Sequence, residues 1–137
     1  MRIMAIDYGD ARTGVAISDP TGLLAGYTEV IHSRKGEQVC ARLAELVEQY
    51  KVEELVMGFP RNMDGTEGPR AALCRDFAAR LEALTGLPVD LWDERRTTVD
   101  AHRILSDNGV HGKKRKNTVD AVAASLILEG YLARRRG

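Results

Sequence analysis

Apolar residues in the first third of the chain fall into short runs divided by turn residues. Arg2-Ile3-Met4-Ala5-Ile6-Asp7-Tyr8 is apolar on both faces until Asp7, the pattern of a buried central strand. Gly9-Asp10-Ala11-Arg12-Thr13-Gly14 is turn chemistry, and Val15-Ala16-Ile17-Ser18 resumes a strand. Asp19-Pro20-Thr21-Gly22 turns the chain again, into a third apolar stretch from Leu23 to about Ile31. These runs predict an antiparallel meander.

The period then changes. Val39, Leu43, Leu46, Val47 and Tyr50 recur at helical spacing, and Glu54 to Phe59 is a short buried strand closed by Pro60. Leu73, Phe77, Leu81 and Leu84 predict a second helix, stopped by Gly86 and Pro88. Val89-Asp90-Leu91-Trp92 reads as a fifth strand. Thr97-Thr98-Val99-Asp100 resembles a capping box opening a third helix, which Gly109 ends. A last helix is predicted from near Asn117, with Val119, Val122, Ala123, Leu126 and Ile127 facing inward. The order β-β-β-α-β-α-β-α-α favours parallel pairing of the later strands through right-handed crossovers. The expected fold is α/β: a mixed five-stranded sheet, a meander followed by parallel strands, flanked by helices.

Composition narrows the class. The chain has 137 residues, 44% of them apolar and 29% charged, which suits a single globular domain spanning 1–137. No apolar run is long enough to span a bilayer, and Met1-Arg2-Ile3 leads straight into strand-like sequence without room for a signal peptide. Cys40 and Cys74 match no metal or redox spacing. A cytoplasmic protein with no membrane partner is expected.

The formal net charge of +0 hides an asymmetry. Residues 1–100 hold 12 basic and 17 acidic side chains, whereas residues 101–137 hold 8 and 3. The basic excess lies in Lys113-Lys114-Arg115-Lys116, read as a loop, and in Arg134-Arg135-Arg136. Such clusters contact phosphate backbones when they stand near a site and are solvated decoration otherwise.

Three acids fall at element boundaries. Asp7 closes the first strand in phase with Ile3 and Ala5, Glu94 follows the fifth strand, and Asp120 lies in the first turn of the last helix. With strands one and five adjacent and that helix across their ends, the three converge. Clustered carboxylates repel unless a cation offsets them, and a hard cation such as Mg2+ suits oxygen donors. Each acid alone reads more simply. Asp7 starts a turn, Glu94 pairs with a neighbouring arginine, and Asp120 supports a helix cap. Other chemistries are weaker. His32, His102 and His111 lack zinc spacing, and there is no Walker loop, dinucleotide fingerprint or serine elbow.

Taken together, the motifs resemble the YqgF (RuvX) family. They are Asp7-Tyr8-Gly9, Arg12 to Asp19, Val56 to Arg70, Asp93 to Thr98 and Asp120 to Leu128, and they run nearly end to end. The resemblance implies an RNase H-like (RuvC-like) fold and a metal-dependent nuclease that matures the 5′ end of the small-subunit ribosomal RNA precursor. It places the catalytic and metal-binding carboxylates at Asp7, Glu94 and Asp120. Asp7 would bridge two Mg2+ or Mn2+ ions, with Glu94 on one and Asp120 on the other. Four-carboxylate relatives of the fold carry another acid one helical turn before the last; here that residue is Asn117.

Gly9 and Gly14 let the first hairpin pass close to a bound backbone, and Arg12 on that turn is a candidate phosphate contact. Pro60 to Gly68 reads as a long loop after a strand end, and Asn62, Thr66 and Arg70 are candidate substrate or positioning residues. Arg95 and Lys113 to Lys116 (Lys113, Lys114, Arg115 and Lys116) would place positive charge around the metals. One tryptophan, four tyrosines and two phenylalanines leave little for a base-stacking platform, so recognition is expected to rest on shape and backbone. Partners are precursor ribosomal RNA within a pre-ribosome, or branched DNA, bound by a monomer or weak homodimer. The alternatives are a Holliday junction resolvase and a non-catalytic ribosome-assembly module. A sugar-kinase or actin-like ATPase needs two such domains and is excluded by length.

Overall fold

The computed structural model describes residues 2–20, 25–59, 68–93 and 112–136, with side chains of the last helix from 122 to 134. Their order is β1 (Arg2–Asp7), β2 (Arg12–Ser18), β3 (Ala25–His32), α1 (Gly36–Tyr50), β4 (Val52–Phe59), α2 (Pro69–Thr85), β5 (Val89–Asp93) and α3 (Gly112–Arg136). The strands form one five-stranded sheet in the order β3-β2-β1-β4-β5. β1 pairs antiparallel with β2, and β2 with β3, while β1–β4 and β4–β5 are parallel. The meander and the parallel pairs are those the sequence predicts.

Strand alternation divides the core in two. Met4, Ile6, Val15, Ile17, Leu55 and Met57 point to one face, where α1 brings Val39, Leu43 and Leu46 and α2 brings Cys74, Phe77 and Leu81. Ile3, Ala5, Ala16 and Val56 point to the other, under Ala124, Ile127, Leu128 and Leu132 of α3. The helix ends follow local chemistry. α2 opens with Pro69 in its first turn and closes on Gly86 at φ 75°, whose N–H donates to the Glu82 carbonyl at 2.8 Å. α1 closes on Lys51, which takes the left-handed conformation without being glycine.

Several expectations need correction. β1 and β5 are not neighbours, because β4 lies between them. β2 begins at Arg12, since Arg12, Thr13 and Gly14 already pair with His32, Ile31 and Val30. The last helix starts at Gly112, five residues before Asn117, so Lys113 to Lys116 are helical and not a loop. Lysine and arginine are good helix formers, and nothing in that run breaks a helix. In α2 the buried stripe is Ala71, Cys74, Phe77, Ala78 and Leu81, which leaves Leu73 and Leu84 more than half exposed. Ala71, Cys74 and Ala78 share the stripe with Phe77 and Leu81, and the two leucines face outward. In α3, Ala124 and Leu128 are buried while Val122 and Leu126 are only partly so. The helix predicted from Thr97 lies outside the described residues. Among the described residues no helix is long and apolar enough to cross a membrane.

Candidate active site

Asp7 ends the central strand. Ile3 and Ala5, in phase with it, are fully covered on the α3 face, and Asp7 is the first residue of that row to reach partial exposure. It pairs with Gly14 across the hairpin. The carboxyl ends of parallel strands are where open α/β sheets build their sites, and β1 is the strand at which pairing changes from antiparallel to parallel.

Register extends the site sideways. Ile6 pairs with Met57 and Gly58 with Trp92, so Asp7, Gly58 and Trp92 stand at one level of the sheet. Alternation from Ile3 and Ala5, from Val56 and from Asp90 puts all three on the α3 face. Two strand spacings, about 10 Å, separate Asp7 from Trp92, and Gly58 between them has no side chain. Glu94 and Arg95 follow this level in the sequence but lie outside the described residues, as do Asn62 and Thr66.

α3 is anchored at its far end. Tyr131 donates its hydroxyl to Asp90 at 2.6 Å, and also contacts Glu54 at 3.2 Å, near the starts of β5 and β4. Ala124, Ile127 and Leu128 then lie over mid-sheet, so the helix positions before Ala124 continue away from those strand starts. Asp120 is one turn before Ala124 on this backbone, and Lys113 to Lys116 are in the opening turns; their side chains are outside the described set. Among the described residues no three His, Cys, Asp or Glu side chains form a metal-holding group.

The turn after Asp7 is tightly specified. Arg70, in the first turn of α2, donates Nη2 to the Tyr8 carbonyl at 2.6 Å and Nη1 to Asp10 at 2.5 Å. Its guanidinium lies 5.2 Å from the centre of the Tyr8 ring, which stacks on Phe77 at 4.0 Å. A Cβ on Gly9 would fall 2.1 Å from the Arg12 carbonyl oxygen, so only glycine fits there. The requirement comes from the turn itself, in addition to any bound backbone. Arg12 is half-buried at the start of β2, with interactions of its own. The placement of Arg70 fits a positioning role: it fixes the residue that follows the Asp7 carboxylate. Spacing alone does not reveal its link to Tyr8 and Asp10, sixty positions earlier in the chain.

Among the described residues, displaced pKa values are found on β3 and α1. Glu29 on β3 accepts two hydrogen bonds from Arg42, at 2.7 and 2.8 Å, which hold its carboxyl below the usual range. Tyr27 donates to the same carboxylate at 2.7 Å, and that bond raises its hydroxyl pKa. Burial pushes the Cys40 thiol up, away from thiolate character.

The family profile described as "RuvX: Holliday junction resolvase" matches residues 1–134. A protein of Halothermothrix orenii, provisionally named a pre-16S rRNA nuclease, is 50% identical over 132 residues, covering 96% of this chain and 94% of its own. A Streptococcus sanguinis protein with the same provisional name is 48% identical over 137 residues, covering 98% and 99%. Among solved structures, Thermus thermophilus RuvC bound to a Holliday junction superposes with a TM-score of 0.60 at 16% identity, covering 100% of this chain and 96% of that one. The Fowlpox virus resolvase, also bound to Holliday junction DNA, gives 0.60 at 14%, covering 100% of both. At such identities the superpositions establish the fold, which is RuvC-like and so RNase H-like. The sequence relationship goes further: this chain belongs to the RuvX family.

Proposed function

We propose that this chain is a divalent-metal-dependent nuclease that processes the 5′ end of the 16S ribosomal RNA precursor in the cytoplasm. The observation that carries this reading is Asp7, a half-buried carboxylate at the end of the central strand, in a chain half identical to a relative named for that activity. Asp7, Glu94 and Asp120 are the residues that would hold the metal. Their donor set, carboxylate oxygens without thiol or imidazole, fits Mg2+ or Mn2+ and not zinc. Bound ions supply charge stabilisation and an activated water for phosphodiester hydrolysis. The protein's own part is to hold these carboxylates in register. Arg70 locks the backbone beside Asp7 through the Tyr8 carbonyl. Arg12, Arg95 and Lys113 to Lys116 would supply phosphate contacts, and Asn62 and Thr66 would contact or position the substrate.

A second reading, cleavage of four-way DNA junctions, is favoured by the description of the matching family and by the two junction-bound neighbours. The same protein preparation decides between them. Incubation with authentic precursor rRNA and with a four-way junction, followed by mapping of product ends, should give Mg2+- or Mn2+-dependent cleavage at the mature 5′ end. Asp7→Asn should abolish it across the metal titration. Cleavage that survives Asp7→Asn ends the metal scheme, and cleavage of the junction alone replaces the substrate.

A further inference from the structure

Trp92 is the only tryptophan of the chain, and it stands on the edge strand in the same row as Asp7. α3 makes room for it at Gly130, where a Cβ would be 3.1 Å from Cζ2 of the indole. Tyr131 meets the ring edge-on, with centroids 6.1 Å apart, and the exposed Arg134 places its guanidinium 5.9 Å from the ring centre. Beside these groups opens a cavity of about 430 Å³ lined by Asp90, Leu91, Trp92, Tyr131 and Arg134. The indole is only partly covered.

The charges select what can enter. Asp90 lines the cavity and Glu54 lies within reach of the same tyrosine hydroxyl, so a phosphate entering there would meet two carboxylates. An uncharged ring meets a π face, a guanidinium plane and a carboxylate that accepts N–H bonds. The one positive group at the mouth among the described residues is the Arg134 guanidinium, which lies over the indole. We propose that this cavity is a base-binding subsite, in which an unpaired nucleotide of the RNA substrate stacks on Trp92 and Arg134 while Asp90 accepts an N–H from the base edge. The proposal rests on the nuclease reading and deepens it. A subsite about 10 Å from Asp7, two strand spacings away, is reached by the same short single strand. It departs from the expectation that too few aromatic residues remain for base stacking. Paired bases keep their faces stacked on neighbours and are excluded, so the subsite selects single-stranded RNA.

The sole tryptophan reports directly on occupancy. Fluorescein-labelled single-stranded RNA of the precursor 5′ leader, and the same sequence as a blunt duplex, are titrated without divalent metal. Anisotropy and tryptophan emission are read together. Single-stranded RNA should quench the Trp92 emission at saturation, and the duplex should not. Arg134→Ala and Trp92→Leu should each weaken single-strand affinity about tenfold and leave duplex affinity unchanged, with Trp92→Phe within about threefold of the parent. Arg134 is exposed, so its variant tests the site without threatening the fold. Single-strand binding with unmoved Trp92 emission and a wild-type Arg134→Ala affinity overturns the subsite and leaves the nuclease reading intact. No anisotropy change with either RNA overturns both.

Discussion

The two faces of the sheet are built differently. Under α1 and α2 the sheet presents Met4, Ile6, Val15, Ile17, Leu55 and Met57, and the helices answer with leucines and Phe77. Under α3 it presents Ile3, Ala5, Ala16 and Val56, and the helix answers with Ala124, Ile127, Leu128 and Leu132, a smaller apolar cluster in which the alanines let the backbones approach. The polar residues are unequally shared as well. Asp7, Asp90 and Tyr131 all belong to the α3 face, as do the substituent-free Gly58 and Gly130. The thick α1/α2 layer holds the larger buried apolar cluster, and Asp7, the carboxylate proposed for the chemistry, stands at the rim of the other. Keeping the larger cluster on the opposite face lets Asp7, Asp90 and an indole share the α3 face without leaving a hole in the main core.

That division should show first in Asp7→Asn. Metal-borne charge stabilisation is worth several kcal/mol, so cleavage of precursor RNA should fall about a thousandfold. The urea midpoint should stay close to the parent value. The opposite result is expected of Leu81→Ala on the thick face, where the leucine is completely buried. Loss of about 2–5 kcal/mol in urea unfolding should leave cleavage at low temperature unaltered. Equal damage to activity and stability by either variant would break the division.

Arg70→Ala sharpens it at the junction, since α2 belongs to the thick face and the turn after Asp7 to the site. If Arg70 positions that turn, kcat should fall about 10- to 100-fold at little cost in KM, since small displacements of reacting groups are that expensive. Direct binding of substrate by Arg70 would raise KM instead. The smallest effect belongs to Glu29→Gln on β3. Its carboxyl is held low by Arg42, so the pair stabilises the fold above the usual carboxylate range, and this is lost as pH falls through the depressed value. At neutral pH the substitution should cost ~1 kcal/mol, given the exposure of Arg42. That difference from the parent should vanish on acidification, with no change in cleavage at neutral pH.

Much of this was legible in the residues. Period-two and period-3.6 patterns locate every described strand and helix, and the phase of Asp7 with Ile3 and Ala5 correctly puts it on the face that α3 covers. Strand adjacency was not legible. Whether β4 or β5 lies beside β1 depends on how two crossovers are laid over the sheet, and nothing local to Val89–Asp93 records it. The start of α3 was misplaced because Asn117-Thr118 resembles a cap, although helix-forming lysines and an arginine precede it. Leu73 and Leu84 looked inward because they are leucines, whereas Ala71, Cys74 and Ala78 share the buried stripe with Phe77 and Leu81. The tie from Arg70 to Tyr8 and Asp10 joins positions far apart in the chain and left no periodic trace. The alternation of Asp90 with Trp92 was the one available signal for the cavity on β5.

The anchoring of α3 by Tyr131 also sets a timetable during synthesis. All strands and both helices of the thick face precede α3 in the chain, so that layer can assemble on the nascent polypeptide as it emerges at about 5–20 residues per second. The opposite face is covered only when α3 emerges and Tyr131 arrives to reach Asp90 and Glu54. A polypeptide interrupted before that point would lack the tie that holds the last helix across the sheet.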